Sequence, residues 1–350
     1  MHVALVDPAA FTPPYDHRLA AALAAEGVDV ELLTSRFRFG AEPEVDGFRR
    51  THFFYPYSSR LRTRSPLRLP LRAAEHLVAL RRLRGVSADV VHHQWVAAPE
   101  LDVRLLPLGA PAVLTAHDIL PRRTARKLDL WKRVYARFDA VVVHSEHGAG
   151  RLMAELGVDP ERIRIIPHPV FPGRVRAEDD GRTVVALGNI RPYKQLGHSI
   201  KAAERAGARM VVAGDAAMDV SEWQARPGIE WHLGYLDDGA LDNVLAASTV
   251  ALFPYTQELD QSGALLRALG SGVPVVAYDV GGIAEPVRRF GAGTIVPPDD
   301  LDALAEATRN LLDDPDALVA AQAGALHAAR ELTWEASARA HVDLYRSLLG

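Results

Sequence analysis

Apolar and polar positions follow two different periods along the chain. Short runs rich in valine and isoleucine alternate with segments in which apolar residues recur every three or four positions. The runs are typical of strands buried on both faces of a parallel sheet, and the segments are typical of helices. The pattern therefore predicts an α/β protein built from repeated strand–helix units.

Two series of these units are predicted. The first contains strands at 2–6, 28–33, 89–93, 112–115, 140–143 and 162–166, with helices that include 15–26 and 146–156. The second contains strands at 183–188, 209–214, 229–234, 249–253, 274–278 and 293–296, with helices at 194–206, 238–247, 263–271, 301–313 and 316–331. The chain ends in "TWEASARAHVDLYRSLLG", which predicts an amphipathic helix with Thr333 as N-cap and Trp334 on its apolar side.

A break in regular structure separates the two series. Residues 167–181, "PHPVFPGRVRAEDDG", contain three prolines, two glycines and an acidic run, which together interrupt helices and strands. The 350 residues suit two domains of ordinary size. We therefore predict domains at 1–170 and 171–332, and a final helix within 333–350 that packs back on the first domain.

Composition narrows the class of protein. The chain contains no cysteine, so disulfides and thiolate metal sites are excluded. The longest apolar runs are shorter than the roughly 20 residues that span a membrane, and the first residues lack the pattern of a secretory signal. The net charge of −4 argues against general nucleic-acid binding. We therefore expect a cytoplasmic protein with no nucleic-acid partner.

The positive charge is concentrated in one segment. Residues 49–84 contain ten arginines and a single acid, Glu75, and residues 48–84 mix these arginines with leucines and aromatic residues. Such a segment forms either a solvated arginine-rich face or a basic amphipathic surface for anionic lipid. The second interpretation predicts peripheral contact at the inner face of the cell membrane, to be tested by changing Arg62, Arg64 and Arg68.

The stretch "VALGNIRPYKQLGHSIKA" (185–202) carries the first candidate site. A predicted strand ends at Gly188, and the short loop before the next helix holds Arg191 and Lys194. A diphosphate requires permanent positive charge and hydrogen-bond donors, and ligands of parallel sheets bind at the carboxyl ends of strands. The two cations fit this requirement, although from position alone both are more typical of solvated surface residues.

The stretch 250–285 carries the second candidate site. A predicted strand leads through a loop to a helix that begins near Ser262 and Gly263, and free amides at a helix N-terminus attract phosphate. The loop carboxylates Glu258 and Asp260 are suited to sugar hydroxyls, and Glu285, which follows a glycine pair, is expected to reach the same crevice. The alternative is an ordinary helix cap followed by a turn.

Two further stretches accompany these candidate sites, "VVVHSEHGAGRLMAELGVDPERIRIIPHPVF" and "WHLGYLDDGALDNVLAASTVALFPY". Together the four stretches resemble glycosyltransferase family 4, the retaining "group 1" transferases of GT-B fold. The resemblance covers most of the chain. It implies two Rossmann-like parallel-sheet domains that face a central cleft, with the C-terminal helix crossing back to the N-terminal domain. It also implies metal-independent transfer of a sugar from a nucleotide-diphosphate sugar of UDP or GDP type, with no cofactor, to a carbohydrate, lipid-linked or small-molecule acceptor.

The resemblance assigns the donor to the second domain. It implies contacts to the diphosphate, the nucleobase and the transferred sugar from Gly188, Asn189, Arg191, Lys194, Tyr235, Leu236, Ser262, Gly263 and Glu285. Glu258 matches a glutamate of the family only loosely. Arg267 stands where the family has a ribose-binding glutamate, so it is expected at the donor while ribose recognition, and with it the donor's identity, stays open.

The resemblance assigns the acceptor to the first domain. His117, in "VLTAHDILP", matches a strand-end histidine expected near the transferred sugar, and Asp118 lies beside it. Asp16 and His17 open the first long helix, where a glycine-rich turn is usual, and His92 ends a strand in "DVVHHQW". Asp16, His17, His92 and Asp118 are expected on the acceptor side, against the alternative of a helix cap, a solvated side chain or a structural histidine. His117 is expected to be catalytic, together with Arg191, Lys194 and Glu258, against the alternative of a structural histidine at a strand end.

Two other functions use the same features. A sugar-nucleotide epimerase or hydrolase would release free sugar or an epimer without an acceptor, and a non-catalytic sugar-nucleotide-binding partner would show no donor turnover. A nicotinamide dehydrogenase is not supported, because neither first strand–helix turn has the G-x-G-x-x-G pattern.

Overall fold

The computed structural model describes residues 1–37, 42–62, 65–106, 109–121, 123–175 and 180–350, so Arg64 and part of the predicted linker, 176–179, lie outside the described residues. The chain forms two compact units. Unit 1 comprises Met1–Pro167 and Trp334–Gly350, and unit 2 comprises His168–Thr333. The observed division thus lies within three residues of the predicted boundary.

Unit 1 is built on a seven-stranded parallel sheet of order β3-β2-β1-β4-β5-β6-β7. Its strands are β1 (His2–Asp7), β2 (Asp29–Thr34), β3 (Arg49–His52), β4 (Val90–His93), β5 (Ala112–Thr115), β6 (Ala140–Val143) and β7 (Ile163–Ile165). Its helices are α1 (Pro13–Ala25), α2 (Arg68–Leu83), α3 (Pro99–Leu105), α4 (Leu128–Tyr135), α5 (Glu146–Leu156) and α13 (Trp334–Leu349).

Unit 2 is built on a six-stranded parallel sheet of order β10-β9-β8-β11-β12-β13. Its strands are β8 (Thr183–Leu187), β9 (Arg209–Gly214), β10 (Ile229–Leu233), β11 (Val250–Phe253), β12 (Val275–Tyr278) and β13 (Gly293–Val296). Its helices are α6 (Leu196–Arg205), α7 (Ser221–Gln224), α8 (Asp238–Ala246), α9 (Gly263–Gly270), α10 (Ala284–Phe290), α11 (Leu301–Asp313) and α12 (Pro315–Glu331).

The central strands are apolar along their whole length because helices cover both faces of each sheet. Every residue of β6, β11 and β12 is buried, as expected for strands enclosed on two sides. Side-chain oxygens begin several helices: Ser145 and Asp300 accept first-turn N–H groups of α5 and α11, which satisfies donors that the helix itself leaves open. Within the described ranges, no helix is long and apolar enough to cross a membrane.

The prediction of two Rossmann-like parallel-sheet domains is confirmed, as is the return of the C-terminal helix to the first domain. All twelve predicted strands are present, with ends that differ by at most one residue. Strand β3 is not predicted, because its sequence Arg-Arg-Thr-His is polar and none of its residues is buried at the edge of the sheet. The short helices α7 and α10 also lie outside the predicted segments.

The apolar side of α13 packs on α1 and against His92 in the sheet of unit 1. Its Tyr345 Oη lies 2.6 Å from His92 Nδ1, and Thr115 Oγ1 lies 2.7 Å from His92 Nε2. His92 is therefore fully buried, with both ring nitrogens satisfied inside the unit. This corrects the prediction of His92 as an acceptor-side residue, because α13 covers the face of β4 on which it lies.

Three buried histidines of unit 1 favour the neutral form. Burial lowers the pKa of His92 well below its usual range, that of His93 to about 3 and that of His341, on α13, to about 4. A histidine in an unfolded chain titrates near 6.5. Between that value and the folded pKa the unfolded chain binds more protons than the folded chain. The contribution of these histidines to the free energy of unfolding is therefore fully present above pH 6.5 and falls as the pH is lowered.

We predict that His341→Phe flattens this acid dependence. One site of this kind contributes a slope of up to about 1.4 kcal/mol per pH unit, and a phenyl ring fills a similar buried volume without titrating. Urea unfolding measured from pH 7 to pH 5 is expected to show a smaller loss of unfolding free energy for the variant than for the original chain. The control His327→Gln changes an exposed histidine and should keep the original slope; an equal slope in His341→Phe would contradict the assignment.

Candidate active site

The strand order of unit 2 reverses beside β8. From β8 the chain proceeds to β9 and β10 on one side, and then returns to β11, β12 and β13 on the other. Ligands of open parallel sheets bind at the carboxyl ends of strands where the order reverses, because the neighbouring loops leave in opposite directions. Gly188 and Lys194, after β8, and Tyr255, after β11, line one pocket at this point.

Two glycines keep this edge free of side chains. Gly188 and Gly214 end β8 and β9 with φ angles of +91° and +141°, which favour glycine. A Cβ atom on Gly214 would lie 2.3 Å from the Gly188 carbonyl oxygen, and a Cβ atom on Gly188 would lie 3.0 Å from Lys194 Nζ. A larger residue at either position would displace the backbone or the ammonium group.

Arg191 and Lys194 lie on a short, constrained turn. Lys194 Nζ lies 4.9 Å from the centroid of the Tyr255 ring, and burial raises the pKa of Tyr255, so the ring beneath the cation stays neutral. Arg191 is half-buried at the start of this turn and Asn189 is exposed before it. Gln195 closes the turn with a φ of +48°, a costly conformation for a residue other than glycine. The turn therefore fixes both cations at the sheet edge.

The N-terminus of α9 lies beside this turn. Ser262 Oγ accepts a hydrogen bond from Leu265 N–H at 3.4 Å and contacts Tyr255 Oη at 3.5 Å. Gly263 is exposed in the first turn of the helix, whose leading N–H groups have no partner within the helix. A Cβ atom on Gly188 would lie only 3.2 Å from the Ala264 Cβ atom. The positive end of the helix dipole and the loop after β8 thus meet.

The loop before α9 is attached to the turn before α10. Gly282 N–H donates to the Leu259 carbonyl oxygen at 2.8 Å, and Gln261 Nε2 donates to the Gly282 carbonyl oxygen at 3.1 Å. These bonds hold Glu258, which is exposed, and Glu285, which is half-buried in the first turn of α10, on adjacent segments of the same edge. Two carboxylates are therefore presented next to the cationic turn.

Tyr235 and Leu236 follow β10 on the far side of this edge. The Tyr235 side chain is 55% exposed, whereas Leu236 packs against the core of unit 2. Gly234 N–H donates to the Gly214 carbonyl oxygen at 3.1 Å, which ties this loop to the glycine-lined part of the edge. An exposed aromatic ring on a fixed loop offers a flat face to a planar ligand.

Arg267 is engaged by groups of its own unit. Its Nη2 atom donates to Asp238 Oδ1 at 2.6 Å, and its Nη1 atom lies 3.5 Å from Asp242 Oδ1, an ion pair without hydrogen-bond geometry. The guanidinium group also packs on the Phe171 ring at 5.1 Å, and the residue is only 6% exposed. Two carboxylates of α8 balance its charge, so Arg267 has a packing role here, in contrast to the predicted donor contact.

The strand order of unit 1 reverses beside β1. Asp7, at the end of this strand, accepts hydrogen bonds from the backbone N–H groups of Ala9 (3.2 Å), Phe11 (2.6 Å) and Thr12 (3.2 Å). One buried carboxylate thus shapes the loop that leads into α1. Asp7 is not among the residues predicted from the sequence, although a lone acid at the end of the buried run "HVALVD" is an available signal.

Asp16 forms a carboxyl pair with Asp7. Thr12 Oγ1 donates to Asp16 at 3.3 Å, and Asp16 is 2% exposed. Burial, followed by the charge of Asp7, raises the pKa of Asp16 well above its usual range, and burial also raises the pKa of Asp7. The raised pKa of Asp16 favours the protonated form of this carboxyl beside Asp7.

His17 has partners within unit 1. Its Nδ1 atom lies 2.8 Å from the Pro13 carbonyl oxygen, and its Nε2 atom lies 3.0 Å from Arg50 Nη1. Burial lowers the pKa of His17, which fits a neutral ring that donates from Nδ1 and accepts from the arginine. The structure therefore gives His17 a supporting role, in contrast to the predicted acceptor contact.

His117 lies two residues beyond β5, as predicted, and Asp118 follows it; both are half-buried. The His117 ring stacks on Trp95 at 5.3 Å and meets the edge of Tyr15 at 4.7 Å. Its Nε2 atom lies 3.0 Å from Gln94 Oε1. Gln94 and Trp95, which directly follow β4, are not singled out in the sequence analysis because neither residue type marks a site by itself.

The predicted residues thus fall into two groups. Unit 2 brings most of the predicted donor residues to one sheet edge, namely Gly188, Asn189, Arg191, Lys194, Tyr235, Glu258, Ser262, Gly263 and Glu285. Unit 1 brings Asp16, His117 and Asp118 to the corresponding edge of its own sheet, while His17 and His92 are held by internal partners. In the described ranges no group of three histidine or acidic residues is arranged to hold a metal ion.

Two family models match the chain. Residues 15–174 match the model of Glycosyltransferase Family 4, and residues 181–314 match that of Glycosyl transferases group 1. The chain is 30% identical over 318 residues to an alpha-maltose-1-phosphate synthase of Mycobacterium tuberculosis, covering 75% of this chain and 80% of that protein. It is 24% identical to a D-inositol 3-phosphate glycosyltransferase of Nocardioides sp., covering 95% and 84% of the two chains.

Solved structures share the fold. A sucrose-phosphate synthase from Thermosynechococcus elongatus has a TM-score of 0.80 at 19% identity and covers 99% of both chains. Anabaena HepE in complex with UDP-glucose has a TM-score of 0.71 at 16% identity, over 99% of this chain and 100% of that one. With both family models matched in order, and with a relative at 30% identity over most of its length, this chain belongs to glycosyltransferase family 4, the group 1 glycosyltransferases.

Proposed function

We propose that this glycosyltransferase takes its sugar from a UDP- or GDP-sugar bound at the carboxyl edge of unit 2. One observation carries the proposal. Lys194, the side-chain-free backbone at Gly188 and the Ser262-capped N-terminus of α9 lie close together at the end of β8. A fixed ammonium group, free helix amides and a backbone without side chains are the features that a diphosphate requires. The relative HepE, solved with UDP-glucose, supports a donor of this class.

Each part of the donor has a matching group. In the proposal, Arg191 and Lys194 hold the diphosphate, the exposed Tyr235 ring and Leu236 lie at the nucleobase, and the carboxylates Glu258 and Glu285 accept hydrogen bonds from sugar hydroxyls. We propose no cofactor beyond the donor itself. The permanent charge of the two cations, with the dipole of α9, provides the stabilisation that the departing diphosphate needs.

The proposed reaction retains the configuration of the anomeric carbon. The bond between this carbon and the diphosphate oxygen breaks, and the nucleotide diphosphate leaves with the electron pair. The acceptor hydroxyl oxygen bonds to the same face of the carbon, and its proton passes to the departing phosphate oxygen. Glu258 is exposed and serves here to hold sugar hydroxyls, so the proposal involves no covalent glycosyl–enzyme intermediate. In unit 1, His117, held by Gln94, Tyr15 and Trp95, completes the proposed catalytic set.

We predict that Arg191→Ala and Lys194→Ala each abolish the thermal stabilisation given by the correct nucleotide diphosphate. A ligand at a hundred times its Kd stabilises a protein by about 2.7 kcal/mol, and removal of one preorganised charge partner typically lowers kcat by about 10²- to 10³-fold. The measurement is thermal unfolding against UDP, GDP, ADP and their sugars, followed by donor turnover.

Lys201→Ala is the matched control, because Lys201 is an exposed cation on α6, the helix that follows the turn. It should retain both the thermal shift and the turnover. If no nucleotide stabilises the original chain, or if the shift survives in both site variants, the proposed donor site is wrong.

We predict that Arg267→Met destabilises unit 2 without weakening the binding of the donor. Removing one partner of a fully buried ion pair costs about 3–5 kcal/mol, but the Asp238 side chain is 54% exposed, so a loss of about 2 kcal/mol is expected. Urea unfolding measures this loss, and Asp242→Asn added to the variant should recover part of it. A nucleotide Kd that rises by tenfold in Arg267→Met at unchanged stability would instead place the guanidinium group at the donor.

We also propose that α2 and the residues before it contact an anionic membrane, the site of a lipid-linked acceptor. The exposed side of this segment combines apolar side chains with cations: Tyr57, Leu67, Leu69 and Val78 are 66%, 69%, 77% and 54% exposed. The opposite side of α2, with His76, Leu80 and Leu83, is buried against unit 1. Arg62, Arg81 and Arg84 are exposed, and such a mixture suits anionic head groups.

The one acid of this segment does not oppose such contact. Glu75 is bound by the backbone N–H groups of Tyr57 (2.7 Å) and Ser58 (3.1 Å). Arg72 and Arg82 are used in part within the unit, where they pack on the rings of Tyr55 and Phe53 at 3.6 and 4.7 Å. The remaining arginines are therefore the ones that attract lipid.

We predict that Arg81→Ser/Arg84→Ser and Leu67→Ser/Leu69→Ser both reduce flotation with vesicles that contain phosphatidylglycerol. Each arginine near an anionic surface contributes about 1 kcal/mol, so the first variant should bind roughly thirty-fold more weakly. Added salt should weaken the original chain, and vesicles of phosphatidylcholine alone should not bind it. The control Arg309→Ser/Arg330→Ser changes two exposed arginines of unit 2. Equal flotation of all variants would exclude the contact.

A further inference from the structure

The loop between β1 and α1 presents an aromatic ring at the carboxyl edge of unit 1. The Phe11 side chain is 57% exposed, and its ring lies 5.1 Å from that of Trp95. Trp95 in turn stacks on His117 with its ring plane inclined by 22°. Three rings therefore follow one another from the solvent-exposed Phe11 to His117, at the point where the strand order of this sheet reverses.

This arrangement is fixed by polar contacts. Asp7 holds the backbone of the loop through three N–H groups, including that of Phe11. The Trp95 indole N–H donates to Thr12 Oγ1 at 2.8 Å, and Thr12 Oγ1 donates to the buried Asp16 at 3.3 Å. The Phe11 and Trp95 rings are thus attached to a single rigid network, so little conformational freedom remains to be lost when a ligand binds them.

Backbone strain points to a use for this loop. Ala10, directly before Phe11, has a φ of +50°, which is unfavourable for a residue with a Cβ atom and is found most often at functional sites. A singly exposed apolar side chain is ordinary on a protein surface. Here, however, a strained loop holds the exposed ring next to a second ring and a histidine, where the strand order of a parallel sheet reverses. This combination is typical of a ligand-binding site.

We infer that Phe11, backed by Trp95, is the platform that binds the ring of a pyranose acceptor. One face of a pyranose carries C–H groups with partial positive charge, which suit the negative face of an aromatic ring. The hydroxyl groups around its rim require hydrogen-bonding side chains, and His117 and Asp118 lie next to Trp95 along this edge. The inference deepens the proposed function, on which it rests for the role of the sugar as acceptor, and it favours a carbohydrate over an open-chain polyol.

The test uses saturation-transfer NMR on the full chain with methyl α-D-glucopyranoside and maltose as probes and sorbitol as the acyclic comparison. The pyranosides should receive saturation through their ring C–H groups and sorbitol should not. Phe11→Ala should weaken pyranoside binding by roughly tenfold, and Phe11→Tyr, which keeps the ring, should restore it. Met153→Ala, which removes an exposed apolar side chain of α5, is the matched control and should bind as the original chain does.

Equal transfer to sorbitol, or undiminished pyranoside binding by Phe11→Ala, would overturn the inference. Thermal shift with UDP and GDP separates this failure from that of the donor site. Phe11→Ala should keep the nucleotide-induced shift, because unit 2 is unchanged. If a nucleotide shifts the unfolding temperature but Phe11→Ala still binds the pyranosides, the donor proposal stands and the platform is rejected. If Phe11→Ala loses pyranoside binding but no nucleotide gives a shift, the platform stands and the donor proposal is rejected.

Discussion

Reversal of strand order in a parallel sheet is the constraint on which both candidate sites depend. The chain first adds strands on one side of a starting strand and later adds strands on its other side. The loops that follow the two central strands then leave in opposite directions, which opens one place along the carboxyl edge. This occurs beside β8 in unit 2 and beside β1 in unit 1. In both units the turn after that strand contains a strained residue, Gln195 and Ala10 respectively. Both candidate sites thus lie where packing leaves the sheet edge open.

The two units furnish this edge with opposite chemistry. Unit 2 removes side chains at Gly188 and Gly214 and adds fixed cations, which suits a diphosphate that must approach the backbone. Unit 1 buries a carboxyl pair, Asp7 and Asp16, and uses it to hold aromatic rings in place. In our proposal unit 2 receives the anionic leaving group and unit 1 receives the ring-shaped acceptor, and the two surfaces match these different requirements.

Sequence reasoning predicts the strands well because burial on both faces leaves an unbroken apolar run, and it misses β3 because an edge strand needs no such run. The cationic turn at Arg191 and Lys194 was predictable, since charge and loop position are both local. The partners of His92 and Arg267 were not. Tyr345 lies 253 positions from His92 and Asp238 lies 29 from Arg267, so only the folded chain reveals that both residues are satisfied internally.

The central claim is that the donor binds where the strand order of unit 2 reverses. Amide hydrogen exchange measured with and without nucleotide tests this claim most directly. Saturating UDP or GDP should slow amide exchange in peptides covering Gly188–Gln195 and Ser262–Leu266, because these backbone groups are expected to donate to or lie against the diphosphate. Peptides of α11 and α12, on the outer part of the same unit, should be unaffected. Protection elsewhere, with none in these two segments, would contradict the account.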